Sequence, residues 1–160
     1  MSKPPIRTIP AFTLEMGKLS YDLDPSEEVA IDLSNLTAEC VEQGQRYLFW
    51  GWLCSQLQLR VSKLEAAQKQ AYARLDQDIR AEALSMGAKT TEASISNRII
   101  THPEYVEAES TVFEATSQLE LVRTIVTGFY KRFDALSDFK KAEMSELRHM
   151  GRTGDTSPEK

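Results

Sequence analysis

The side chains able to do acid–base or metal chemistry are few and scattered. His102 and His149 are the only two histidines in the chain of 160 residues. They stand at opposite ends of one helical stretch, so no His/Cys/acid cluster has metal-ligand spacing. Glu104, Glu107 and Glu109 look like acids of a helix start. A di-metal bundle would need Glu-x-x-His motifs on two helices, and that arrangement is missing. Gly44 and Gly51 sit inside a helical stretch, and the phosphate-binding pattern GxxxxGK[ST] is absent. Neither catalysis, nor a metal, nor a cofactor is expected from this inventory.

The residues that could do something else are cations on one helix. Arg60, Lys63, Lys69, Arg74 and Arg80 fall in or beside the segment 64–76. Such cations can hold phosphates without reading bases, and Tyr72 could offer a stacking face to an unpaired base. A solvated helix face of Lys and Arg is the plainer alternative. The formal net charge of −5 argues mildly against a general polyanion binder. Charge is uneven, however: Asp22 to Glu42 holds seven acids and no base, while Arg46 to Arg74 holds five bases and one acid, Glu65. A local basic stripe can bind phosphate despite an acidic total.

The elements that carry these residues are long. No proline occurs between Pro25 and Pro103. One helix is predicted from about Leu33 to Ser85, with Asp32 or Ser34 as N-cap and an earlier short turn near Ser26. At 1.5 Å per residue it would span roughly 75 Å. Gly87 fits its stop. A short helix is predicted over about 91–100, carrying Ile95, Ile99 and Ile100. A second long helix follows over about 103–147, with Thr101 and Glu104 as a capping box and Pro103 in the first turn. The helical domain covers 26–150. Residues 1–25 read as a flexible leader, or as an arm docking through Ile6, Ile9, Phe12 and Leu14. Residues 151–160 read as a disordered tail.

Both long helices show heptads. The first has Tyr47, Cys54, Val61, Gln68, Leu75 and Trp50, Leu57, Leu64, Ala71, Asp78, slipping to Ile79 near its end. The second has Tyr105, Val112, Leu119, Val126, Phe133 and Ala108, Ala115, Val122, Phe129, Leu136. Two such seams suit an all-α fold: a long antiparallel helical hairpin with a short connecting helix. Apolar residues make up 41% of the chain, enough for a core. Tyr47, Phe49, Trp50, Trp52, Val126, Phe129 and Phe133 are the expected core and oligomer contacts. Leu121, Ile125 and Tyr130 widen the apolar surface beyond what one partner helix covers. Self-association, as a dimer or a closed ring, is the favoured cover; a monomer closed by the arm and the short helix is the alternative. Cys40 and Cys54 lie two heptads apart on one helix, cannot bridge there, and suit a reducing compartment. No signal-peptide run or membrane-length apolar stretch is seen. The cytoplasm is the expected location.

Ile31-Asp32, Leu36, Glu39, Tyr47, Trp50, Leu64-Glu65-Ala66 and Ala73-Arg74-Leu75-Asp76 resemble the UvsY family of phage recombination mediators. The order of parts is similar too: acidic leader, long helix, a turn with Thr91-Glu92, then a long aromatic-rich helix. The likeness covers roughly residues 30–147, and the first 25 residues and the tail have no counterpart. It implies a ring-like homo-oligomer that binds single-stranded DNA. It also implies loading of a RecA-like recombinase onto strands covered by single-strand binding protein, in the cytoplasm of a phage host. The family's DNA-binding run is Leu-Lys-Ala-Arg-Leu; here it reads Ala71-Tyr72-Ala73-Arg74-Leu75. Tyr72 takes the lysine position, and Lys69, one turn away, offers a charge. Repetition of a weak strip around an oligomer would raise its grip on a strand by avidity. A helical adaptor that binds no nucleic acid is the second expectation.

Overall fold

A computed structural model describes residues 10–16 and 19–153. Its contacts divide the chain into two compact units: one built from the residues up to Gly51 and those from Arg123 on, the other spanning Trp52–Val122. The elements are strands β1 (Phe12–Met16) and β2 (Leu19–Leu23), helix α1 (Pro25–Val29), a 3-10 turn (Leu33–Asn35), and helices α2 (Leu36–Ser85), α3 (Glu92–Ile100) and α4 (Pro103–Thr153). α2 and α4 contain 50 and 51 residues. Both units are dominated by these two helices, which run antiparallel in each.

In the first unit β1 and β2 form an antiparallel hairpin with Phe12 opposite Leu23 and Leu14 opposite Tyr21. The sequence reading expected no regular structure there. Period-two alternation explains the hairpin. Leu14 and Leu23 are buried, while Thr13 and Asp22 share the other face and hydrogen-bond at 2.7 Å. An isolated two-stranded hairpin is marginal in water; this one gains an edge-on contact between Tyr21 and Phe49, with ring centroids 5.9 Å apart. Ile6 and Ile9, also named for a docking arm, lie outside the described residues.

α1 follows at once because Asp24 caps it, accepting from the backbone N–H groups of Ser26 and Glu27, with Pro25 in its first turn. Asp32 caps the 3-10 turn by accepting from the Ser34 hydroxyl at 2.6 Å and from Ser34 N–H at 2.8 Å, and these bonds, the hydroxyl's foremost, hold the Asp32 carboxyl below its usual range. The Asn35 side-chain oxygen Oδ1 then accepts from Ala38 N–H at 3.4 Å, capping the start of α2.

The buried set of this unit includes Trp50 and Phe129, whose rings lie 6.4 Å apart. Two polar side chains join them, Gln43 and Arg132. The Arg132 guanidinium pairs with the Glu39 carboxylate and the Gln43 side-chain oxygen. It also donates to the Ala30 carbonyl from Nε at 3.3 Å and Nη2 at 3.2 Å. Gln43 in turn donates to the Phe129 carbonyl at 3.0 Å. These bonds tie the segment before α2, α2 itself and α4 together, and they displace the predicted seam. Beyond Val122 the buried positions are Ile125, Phe129, Arg132 and Leu136. Val126 is half-buried and Phe133 is 62% exposed. The heptad placed Phe133 in the core; a paired arginine holds the neighbouring core position instead.

In the second unit Leu53, Leu57, Val61, Leu75 and Ile79 of α2 are buried, with Ala115, Leu119 and Val122 of α4. α3 starts at Thr91, whose hydroxyl accepts from Ser94 N–H. Its Ile95 and Ile99 pack with Leu75, Ile79 and Tyr105. α2 stops where expected: Gly87 has φ +64, Gly87 N–H donates to Leu84 and Ala88 N–H to Ala83. This is the Schellman closure that a left-handed glycine permits. The cap of α4 differs from the expected Thr101/Glu104 box. Thr101 belongs to the end of α3, its hydroxyl donating to Asn97 at 2.8 Å. His102 Nδ1 accepts from Glu104 N–H at 3.3 Å instead. α4 also runs on to Thr153, past the predicted end near 147, so 151–153 are helical rather than tail; residues 154–160 lie outside the described part.

Candidate nucleic-acid interface

The six residues singled out for a strand, Arg60, Lys63, Lys69, Tyr72, Arg74 and Arg80, all sit on α2 in the second unit. At about 100° per residue they divide into two flanks. Arg60, Lys63 and Arg74 share a sector of roughly 60°, while Lys69 and Arg80 lie nearly opposite Arg60. The buried Leu57, Val61, Leu75 and Ile79 run between the flanks. No single strip carries all the cations.

Their partners differ as well. Lys63 and Lys69 are exposed and make no ion pair among the described residues. Arg60 is half-buried and donates to Gln118 at 3.4 Å. Arg74 pairs with Glu104 at the start of α4. Arg80 is held by three bonds, to Asp76 at 2.8 Å and to both Glu92 oxygens at 2.8 and 2.6 Å. The hydrogen bonds from Glu92, then Asp76, push the Arg80 guanidinium above its usual range, and Arg80 holds the Glu92 carboxyl below its own. Arg80 thus braces α3 against α2. Tyr72 is 36% exposed and meets Tyr105 edge-on at 5.8 Å. Tyr105 also receives a hydrogen bond from Gln68 at 3.4 Å. Tyr72 therefore helps hold the start of α4, with part of its ring still open to solvent.

The aromatic residues named for core and oligomer contacts divide between the units. Trp52 is 44% exposed, in the second. In the first, Trp50 is fully buried, and its indole N–H has no hydrogen-bond partner. Phe49 bridges Tyr21 and Trp50. Tyr47 meets Tyr130 edge-on at 5.4 Å, and their hydroxyls lie 2.6 Å apart. This hydrogen bond raises the Tyr47 phenol above its usual range.

The first unit also holds a feature that pattern reading did not reach. Between the early turns of α2 and the second half of α4 runs a groove of about 1120 Å³. Its floor is Phe129, and Tyr47, Tyr130 and Phe133 stand along it. Fourteen residues line it; three are cations, Lys140, Lys141 and Arg148, and none is an acid. The signal available in the sequence is the run of cations after Phe133, namely Lys140, Lys141 and Arg148, which by position alone simply complements the dipole at a helix end.

No group of three or more metal-ligating side chains occurs among the described residues. No helix among them is long and apolar enough to cross a membrane. No protein-family model matches the sequence, and no curated protein matches it. Among solved structures, the crystal structure of the bacteriophage T4 recombination mediator protein UvsY is similar at a TM-score of 0.64 and 15% identity. The match covers 76% of this chain and 92% of that one. The chain therefore has a UvsY-like fold.

Proposed function

We propose that this protein is a non-enzymatic recombination mediator. It binds single-stranded DNA, assembles with copies of itself, and helps load a RecA-like recombinase onto strands covered by single-strand binding protein. The observation that carries this is the shared fold over nearly the whole of a recombination mediator. No nucleotide or metal is required for such a role, which consists of holding and presenting a strand. In the second unit Lys63 and Lys69 supply cations ready for phosphate. Arg74 contributes by exchanging the Glu104 carboxylate for phosphate, a small cost because exposed ion pairs are worth roughly 0–1 kcal/mol, while Arg80 stays with Glu92 and Asp76 and adds only its positive field.

The test is anisotropy of a labelled oligo-dT across a salt series, with solution mass measured in parallel. The expected result is saturable binding that weakens with salt, by a protein larger than one copy. In the Lys63→Glu/Lys69→Glu variant, affinity falls and the salt dependence flattens while mass and helix content hold. Absence of binding by the unmodified protein at low salt refutes the proposal. A helical adaptor that holds two proteins together is the second reading; the net charge of −5 and the ion pairing of Arg74 and Arg80 favour it.

A further inference from the structure

The groove in the first unit has the chemistry of a second contact for the strand. We infer that single-stranded nucleic acid lies along it, with bases stacked on Tyr130 and Phe133 and phosphates held by Lys140, Lys141 and Arg148. This rests on the proposed strand binding and adds a place for it away from the α2 cations.

Three observations carry the inference. The first is charge. In a chain of net charge −5, the groove is lined by three cations and no carboxylate, so an anionic occupant is selected. Lys140 and Lys141 do have neighbours outside the lining, Glu143 at 3.0 Å and Asp138 at 3.1 Å. Both pairs are exposed and of the weak kind that phosphate displaces. Arg148 makes no ion pair among the described residues.

The second is exposed aromatic surface. Tyr130 is 58% and Phe133 62% exposed. The bond between the Tyr47 and Tyr130 hydroxyls fixes one ring against the other helix. A ring held in place stacks on a base with little loss of side-chain freedom, and every base has a face to stack.

The third is order along the helix. Tyr130 and Phe133 stand about 4.5 Å apart in rise, Lys140 and Lys141 follow about 10–12 Å beyond Phe133, and Arg148 about 10–12 Å further. Flat apolar rings with a line of cations beside them suit a strand of several nucleotides. An amphipathic acidic helix would also meet the cations and could cover the rings with its apolar face; the spacing of three cations along the helix beyond the rings favours a strand, and photocross-linking separates the two.

The experiment uses the full chain and labelled oligo-dT. Tyr130→Ala/Phe133→Ala is expected to weaken binding at least tenfold with the salt slope unchanged. Lys141→Gln/Arg148→Gln is expected to reduce the slope by about 1.4, the value for two single-strand phosphate contacts. All four residues are exposed, so the fold should survive, and solution mass is measured for each variant. In the unmodified protein, an oligonucleotide carrying 5-iododeoxyuridine should photocross-link to Tyr130 or Phe133. If the unmodified protein binds while both variants bind equally well, or if cross-links fall on Tyr72 alone, the groove is not a strand site. If the variants lose mass but not affinity, a second copy covers the groove and the inference is overturned. Failure of the unmodified protein to bind at all would instead bring down the proposed function.

Discussion

Removing Glu39 should unfold the first unit far more readily than its position near a helix start suggests. The Arg132 side chain is 1% exposed and that of Glu39 is 12%. Glu39→Ala leaves the guanidinium with only Gln43 and the Ala30 carbonyl, in a place water does not reach. It also frees the Asp32 N–H, which donates to Glu39 Oε1 at 3.2 Å. Stranding one member of a buried pair costs about 3–5 kcal/mol, a large share of the roughly 5–15 kcal/mol that holds a domain together. With a urea slope of about 2 kcal/mol/M, the midpoint should drop by about 2 M. The assay is urea unfolding followed by fluorescence in a Trp52→Phe background, so that Trp50 alone reports on this unit. The double variant Glu39→Leu/Arg132→Met should recover most of the loss, because apolar residues of similar volume often replace a buried pair at little cost. A Glu39→Ala midpoint within about 0.3 M of the unmodified value, a loss of only about 0.6 kcal/mol at that slope, would refute the claim that this pair clamps the unit.

Trp50→Ala, which removes the fluorescent reporter itself, should cost about 3–5 kcal/mol in urea unfolding followed by circular dichroism. Trp50→Phe should cost much less, since it removes the unpaired buried donor along with part of the ring; equal losses would show that the orphaned N–H has a partner in solution. Gly87→Ala should destabilise the end of α2 by about 1–2 kcal/mol, because its φ of +64 is left-handed. By contrast, a Cβ at Gly51 meets nothing within 4 Å, so Gly51→Ala should stabilise by about 0.5–1 kcal/mol; thermal melts distinguish the two signs. The Arg80–Glu92 pair gives α3 a pH dependence. Glu92 is held below its ordinary 4.5 in the folded chain, so its contribution is present above that pH and is lost as pH falls through the lowered value. Arg80 stays charged throughout. Amide exchange of Ile95 and Ile99 should quicken on acidification, and Glu92→Gln should abolish that change.

Several features of the fold were legible because they are local. The proline-free stretch, the seam through Trp50, Leu57, Val61 and Leu75, the slip to Ile79, the Gly87 stop and the isoleucines of α3 all follow from short-range spacing. The β-hairpin was legible too, in the alternation Phe12-Leu14-Met16 and Leu19-Tyr21-Leu23 around two residues that include Gly17, but the nearby prolines drew the reading toward a leader. The capping of α4 depended on which of two adjacent residues ended the preceding helix, and Thr101 was taken by α3.

What the chain determined unaided is its helical character and the outline of its two seams, because helix periodicity and terminal residues act over a few positions. Which face of α4 turns inward after Val122 was decided only by tertiary structure. Arg132 is a solvent residue by type; it becomes a core residue because Glu39, Gln43 and the Ala30 carbonyl come from distant positions to meet it, and Phe133 is turned outward as a result. The same holds for the cations. Spacing put Arg74 and Arg80 on a helix, but only the folded chain brought Glu104 and Glu92 to them. Only the folded chain, too, set Tyr47 of α2 beside Tyr130 of α4 to make a groove with cations along one wall.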